Sequence, residues 1–422
     1  MKNITGFGKF VIYSRIALHV CIIYLFKVKP WQYPRFLRRA FILLMSFRHN
    51  AVVKVFNGYK LQLYLPAYPC RAFFYALDSK LLKTPPGPIT IVFSMTKACS
   101  YKCPHCYQKK DGGPDLQEQK LIETLINVRD KGVAMFDIEG GEPFLRFERL
   151  LNLIKALDSR SEIWVNTTGM HVDKNNLTAL QANGLFGLMI SIHSPDRKIH
   201  DDFTGIAGSF ETACQAIKLC KDLDLVVSIN SVLAEQEIND GKLNDLMELA
   251  KSLKADFVQL IHPKPSGLWL DKSDHMQNDK SFITDVQQQH LLYNSKAKQF
   301  YPALAAQVFE ERKTGFGCTA GAVDRFYVNA TGEIQPCEFL NISFGNVNIE
   351  DFDVIYNRMR SYFNNPCQDW LCCTQAQSIS EIIKKYELQA TPLPWQYTQE
   401  LIKTWDRGPQ TPLYKKLGIY KK

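Results

Sequence analysis

No aspartate or glutamate occurs before Asp78, although twelve lysines and arginines do. That leaves 39 of the chain's 51 basic residues facing all 42 acidic ones, so the net charge of +9 belongs to the N-terminal segment alone. Long apolar runs are also missing. Residues 10–26 are broken by Arg15 and His19, and residues 41–45 are few. Neither patch reaches the roughly 18 uninterrupted apolar residues of a spanning helix. No small-residue cleavage site follows the apolar run, which argues against a cleaved signal peptide. The acid-free composition leaves an organelle transit peptide open, though serine is scarce there. There is no internal repeat, and 46% hydrophobic with 22% charged residues is the balance of a globular chain. Aromatic and basic residues interleave too sparsely for a nucleic-acid partner. Twelve cysteines in 422 residues do not make a disulfide framework, which belongs to short secreted chains.

What the N-terminus does hold is basic residues, the aromatics Trp31, Tyr33 and Phe36, and short apolar faces. Two readings stand side by side. Such a segment suits a helix lying on an anionic membrane surface, or helices packed on the outside of the next domain. Residues 52–56 and 59–65 flank Asn57-Gly58, a two-residue hairpin signal. Pro66, Pro69 and the run Pro85-Pro86-Gly87-Pro88 mark a linker beyond it.

The cysteines cluster. Residues 89–93 read as a buried strand, and the polar loop after it carries Cys99, Cys103 and Cys106. Three thiolates so close leave a four-iron cluster one protein ligand short, and an open iron is where a small molecule binds and reacts. A structural zinc loop uses the same donors but closes four positions, which this loop alone does not.

The spacing of Cys99, Cys103 and Cys106, with His105 in the aromatic slot, resembles the signature of the radical S-adenosylmethionine (radical SAM) enzymes. The resemblance extends over about residues 90–373. It implies a 4Fe-4S cluster on the three cysteines whose fourth iron chelates the amino and carboxylate groups of SAM. It also implies reductive cleavage of SAM to a 5′-deoxyadenosyl radical that takes a hydrogen atom from substrate. Residues 133–138 read as a strand running into Glu139-Gly140-Gly141-Glu142-Pro143. Glycines at a strand end let backbone approach a ligand, and Glu142 offers a charge to an ammonium. The resemblance makes Gly140, Gly141 and Glu142 the element that binds the SAM amino group.

Strand candidates at 162–167, 188–193, 226–232 and 257–261 alternate with helical patterns at 174–183, 209–223 and 242–253. That alternation predicts crossover units and a parallel sheet. The fold expected is α/β, similar to the family's partial (β/α)6 TIM-like barrel. Polar residues at strand C-termini face the barrel mouth, where such barrels do chemistry. Asn166, Thr168, Ser191, His193, Asn230 and Gln259 are the candidates, and the resemblance puts Asn166, Ser191 and Asn230 at the cofactor. The plainer alternative is that they satisfy strand-end backbone groups.

A second thiol group comprises Cys318, Cys337, Cys367, Cys372 and Cys373. A strand at 326–329 and the turn Ala330-Thr331-Gly332 would fold back to bring Cys318 near Cys337. This resembles the auxiliary-cluster extension of SPASM and twitch members. Five cysteines are fewer than the seven of the two-cluster pattern, so the resemblance implies one auxiliary iron–sulfur cluster. Its ligands would be Cys318, Cys337 and two of Cys367, Cys372 and Cys373. A structural zinc on the same thiols is the alternative.

The organisation expected is a basic amphipathic segment (1–50), a hairpin and linker (51–88), the barrel (89–265), a helical bridge with a helix at 282–298 (266–313), the auxiliary-cluster region (314–377) and a tail (378–422). The activity implied is that of a radical SAM oxidoreductase or maturase acting on a peptide or a small molecule. An electron donor such as flavodoxin or ferredoxin would serve it. The location expected is cytoplasmic, with peripheral contact at the inner membrane face. The alternative is a non-catalytic iron–sulfur protein for electron transfer or redox sensing.

Overall fold

The computed structural model describes residues 3–275 and 280–420. Helices α1 (Gly6–Leu25) and α2 (Tyr33–Ser46) come first, followed by the hairpin strands β1 (Val53–Val55) and β2 (Gly58–Lys60) and by helix α3 (Arg71–Leu81). The region between Pro66 and Pro88, read as linker, thus contains three turns of helix. The hairpin turn also differs by one residue. Val55 pairs with Gly58, so the loop is Phe56-Asn57, with Phe56 at φ +40°. Gly58 sits in the strand because a Cβ there would lie 2.5 Å from the Tyr68 carbonyl oxygen. The backbone of Tyr68 pairs with Tyr59 from that side, at 2.7 and 2.9 Å.

Six parallel strands then follow in chain order: β3 (Thr90–Ser94), β4 (Met135–Glu139), β5 (Glu162–Thr167), β6 (Leu185–Ser191), β7 (Val226–Val232) and β8 (Phe257–Ile261). Helices Glu118–Asp130, Phe147–Lys155, Lys174–Ala182, Ser209–Asp222 and Lys242–Ser252 lie in the crossovers. Each strand is buried along nearly all its length, as a parallel strand covered on both faces must be. The result is the expected α/β open barrel, but among the described residues the sheet has nine strands. β9 (Ala303–Ala306) extends it beside β8. β10 (Arg325–Val328) extends it beside β3, in parallel, and carries the hairpin partner β11 (Ile334–Gln335). The second thiol region is therefore built onto the barrel's own sheet. In the bridge, the helix runs Lys280–Tyr293, and residues 276–279 lie outside the described residues.

The N-terminal ends of the strands are closed by the hairpin region. Ala51, Val53 and Leu63 pack on Met135, Trp164, Met189, Val226 and Phe257. Within this plug the fully buried Lys60 meets Glu162 of β5 at 2.5 Å. Glu162 also accepts from Trp164 Nε1 at 2.8 Å and from the Ala67 amide at 2.6 Å. Both oxygens of that carboxylate accept hydrogen bonds, which is what makes a buried ion pair tolerable.

The patch at 10–26 is one continuous helix despite Arg15 and His19, because its inner face alone carries the packing. Ile12, Tyr13, Ile16, Val20 and Tyr24 are buried, and His19 Nδ1 pairs with the Tyr68 hydroxyl at 2.8 Å. By length and composition α1 is long and apolar enough to cross a membrane. The basic run 35–39 has an internal role. Arg38 and Arg39 donate to the carbonyls of Lys416 and Leu417 at 3.0 Å, at the C-terminus of the helix Pro412–Leu417. Cations there complement the helix dipole and occupy its unpaired carbonyls.

Candidate metal and cofactor site

The chain leaving β3 turns at once against the chain leaving β4. The Met95 amide donates to the Glu139 carbonyl at 2.8 Å, Gly141 to Thr96 at 2.7 Å and Glu142 to Ala98 at 2.7 Å. These three bonds clamp the segment that leads into Cys99. A Cβ on Gly140 would lie 2.7 Å from the Thr96 carbonyl oxygen, and one on Gly141 would lie 2.3 Å from that of Ala98. The glycines thus admit the backbone of the cysteine loop.

Glu142 departs from the role expected for it. It is fully buried, and its carboxylate accepts from Thr167 Oγ1 (2.7 Å), the Thr168 amide (2.8 Å), Thr168 Oγ1 (2.6 Å) and the Phe144 amide (3.1 Å). With four donors from its own chain it has no acceptor site left for an ammonium group, and it fastens the β4 turn to the end of β5.

A cavity of about 300 Å3 opens at the C-terminal ends of the strands. Cys99, Cys103, His105 and Cys106 line it, together with Gly140, Gly141, Asn166, Ser191 and Asn230. The structure therefore brings together every residue expected at this site except Glu142. All three cysteines are free and half-buried. Burial pushes the Cys103 thiol up to about 12, and the Cys106 and Cys99 sulfurs beside it act the same way. Three adjacent thiols in such surroundings fit a polycationic metal centre, which alone would hold them all as thiolates. His105 packs among the rings of His193 (4.7 Å, edge-on), Phe203 (5.0 Å) and Trp269 (5.7 Å). Burial lowers the pKa of His105 to about 4, so the ring is neutral.

The strand ends form one polar seam. Asn166 Nδ2 lies 3.5 Å from Glu139, and Asn230 Nδ2 lies 3.4 Å from Asn166 Oδ1. Ser191 is in register with Asn230 on the neighbouring strand. Asp137 Oδ1, Gln259 Oε1, Ser231 Oγ and His193 Nδ1 are buried without a hydrogen-bond partner. Buried polar atoms are rarely left so, and together they fit a polar small molecule such as SAM above them.

Several lining residues escaped the sequence reasoning: Tyr64, Asp137, Glu139 and Arg325. Asp137 and Glu139 alternate within the apolar strand Met135–Glu139, and two acids on one face of a buried strand were the available signal. Burial raises both carboxyls, Asp137 to about 8. Tyr107 donates its hydroxyl to Glu139, and Gln108 Nε2 donates to the other oxygen at 2.7 Å.

The second thiol group lies beyond β10. Cys318 and Cys367 exchange backbone hydrogen bonds, at 2.8 and 3.3 Å. The Gly321 amide bonds the Pro336 carbonyl at 2.8 Å, which sets the Cys318 segment beside that of Cys337. Cys372 is buried and feels the charge of Cys337, whereas Cys373 is exposed. Cations surround the group. Arg325 Nη2 lies 3.8 Å from Cys337 Sγ, Arg407 acts on Cys367 and Cys318, and Lys264 acts on Cys372 and Cys373. Arg325 Nε, Arg407 Nε, Lys264 Nζ and Trp370 Nε1 are buried donors without an acceptor. Orphaned donors around cysteines fit an anionic cluster whose sulfides accept hydrogen bonds. The two sites also touch, since Tyr107 packs on Phe339 with ring centroids 5.5 Å apart.

Residues 93–250 match the family model described as Radical SAM superfamily. Among curated proteins the chain is similar to the antilisterial bacteriocin subtilosin biosynthesis protein AlbA of Bacillus subtilis, 26% identical over 70% of this chain and 64% of that one. It is similar to the AdoMet-dependent heme synthase of Nitratidesulfovibrio vulgaris, 23% identical over 64% of this chain and 79% of that one. A third relative is the PqqA peptide cyclase of Rhodopseudomonas palustris, 26% identical over 42% of this chain and 47% of that one.

Proposed function

We propose that this chain, a radical SAM superfamily protein by its residues 93–250, is an enzyme that cleaves SAM reductively to start a hydrogen abstraction. The observation that carries the reading is the set of three thiols on one clamped loop at the mouth of a parallel barrel. When bound, the four-iron cluster and SAM supply the 5′-deoxyadenosyl radical. Cys99, Cys103 and Cys106 hold three irons, and the loop leaves no fourth thiol at that site. Asn166, Ser191 and Asn230 orient the cofactor along the strand ends, and His105 walls it from the side. Glu139, fixed by Tyr107 and Gln108, anchors the seam from below.

Cys318, Cys337, Cys367 and Cys372 hold one auxiliary cluster in this reading, with the exposed Cys373 spare. Arg325 and the Tyr107–Phe339 contact join that cluster to the reaction cavity. A flavodoxin or ferredoxin supplies the electron. All cysteines of the described residues are free, which suits the reducing cytoplasm.

A peptide substrate is supported by the relatives, one of which is a peptide cyclase by name. A membrane-borne substrate is favoured by the outer face of α1. Phe7, Phe10, Leu18, Ile22 and Leu25 are all more than half exposed, in a segment without a single acid. Such a stripe beside basic residues seats a helix in an anionic membrane surface, here the inner face.

The test is anaerobic reconstitution, reduction with dithionite, and chromatography for 5′-deoxyadenosine after SAM is added. Wild-type protein forms it, and the triple Cys99→Ala/Cys103→Ala/Cys106→Ala variant does not. An iron-loaded wild type that leaves SAM intact would leave the non-catalytic iron–sulfur reading in its place.

A further inference from the structure

The crevice between α1 and α2 is itself a cavity, of about 230 Å3. Ile16, Val20, Leu37, Leu44, Leu61 and Leu77 contribute its walls, and none of the lining side chains is charged. An apolar cavity of about 150 Å3 elsewhere stays dry and takes up benzene, so this larger one is a site for apolar matter. Its outer rim includes Phe41, which is 61% exposed, and the half-buried Cys21 and Leu37. Across α1 from that rim begins the exposed stripe of Leu18, Ile22 and Leu25. At the inner end, Leu43, Phe47 and Leu65 line this cavity and the reaction cavity alike. Those three side chains are the common wall between the α1–α2 cavity and the chamber lined by Cys99, Cys103 and Cys106.

The chemistry of the walls selects the occupant. A peptide backbone entering here would bring N–H and C=O groups to walls that offer no side-chain partner, at a heavy desolvation penalty. An alkyl chain brings none. We propose that the α1–α2 cavity binds the alkyl chain of an amphiphilic substrate taken from the membrane, whose reacting part lies beyond Leu43, Phe47 and Leu65. This rests on the reading above, in which the larger cavity is the site of SAM cleavage and α1 meets lipid.

The test uses the full chain, reconstituted anaerobically and mixed with phosphatidylglycerol vesicles containing hexadecanoic acid with a terminal diazirine. After irradiation, mass spectrometry of the digest maps the adducts. The expected result is labelling of Ile16, Val20, Leu44 or Phe47, lost when Ala17→Trp or Ala40→Trp fills the cavity from either helix. Circular dichroism checks that these variants fold, and the wild-type adduct map decides the matter without them. Adducts confined to Leu18, Ile22 and Leu25 mean surface contact only and overturn the proposal, as does labelling that the folded variants retain. Release of 5′-deoxyadenosine by the wild-type preparation is read separately. Cleavage without cavity adducts sinks the alkyl site alone, and cavity adducts without cleavage sink the enzyme reading while leaving the alkyl site.

Discussion

Gly141 and Ala98 lie so close that a single methyl group on the glycine would sit 2.3 Å from the alanine's carbonyl oxygen. The contact joins the β4 turn to the loop of Cys99, Cys103 and Cys106. Gly141→Ala should therefore push that loop outward. Overpacking of this kind costs about 1–3 kcal/mol. The expected outcome is a lowered unfolding midpoint together with reduced iron at the first site, read by iron analysis of a variant that keeps only those three cysteines as ligands.

Glu142 gives a sharper contrast. All four of its hydrogen bonds are accepted, so the amide of Glu142→Gln must point a donor at Thr167 or at Thr168. The loss should be roughly 1–3 kcal/mol of stability. Affinity for SAM in the folded variant should be nearly unchanged, because four donors of the chain itself already occupy this carboxylate. A strongly weakened SAM affinity at unchanged stability, measured by equilibrium dialysis, would restore the role of ammonium partner.

That contrast marks what could be read in the sequence. The six barrel strands announce themselves through apolar runs and crossover helices, and Cys99, Cys103 and Cys106 through spacing alone. The local partners of Glu142 do not, because a carboxylate facing a ligand and one facing two threonines have the same sequence. β9, and the pairing of β10 with β3, were hidden for another reason, since the strand at 326–329 itself was legible. Each of the two strands is four residues long, and its partner, β8 or β3, lies far away in sequence. Arg38 and Arg39 read as membrane-seeking charge until the helix end they cap, some 378 residues distant, is in place.

Asp137 makes stability depend on pH. Burial, and next the charge of Glu338, raises its carboxyl from 3.8 to about 8. Across that window the folded chain keeps a proton that the unfolded chain releases, so this residue's contribution to stability falls as pH rises. Urea unfolding at the two ends of the window should show Asp137→Asn gaining on the wild type at the alkaline end. A difference between the two proteins that does not change with pH contradicts the assignment.

The ion pair beneath the barrel should be costly to split. Lys60→Met leaves the buried Glu162 carboxylate without its cation, with only Trp164 Nε1 and the Ala67 amide as donors. Removing one partner of such a pair costs about 3–5 kcal/mol. Thermal unfolding should show that loss, while the Lys60→Met/Glu162→Gln pair should recover part of it.

The adjacent cysteines should separate cleanly. Cys372→Ser is expected to remove iron from the second site, and Cys373→Ser to leave it in place, since only Cys372 is buried towards Cys337. Equal iron loss in both would show that Cys373 is a ligand.

An iron at the first loop that no side chain of the described residues completes is the centre of the proposed chemistry. Electron paramagnetic resonance of the dithionite-reduced wild type, recorded before and after SAM is added, reads it directly. The expected result is a reduced four-iron signal that changes shape on SAM binding and is absent from the Cys99→Ala/Cys103→Ala/Cys106→Ala variant. The first loop holding zinc on Cys103, His105 and His193, whose donor atoms lie within 4.8 Å of one another, or a cluster signal indifferent to SAM, would contradict it.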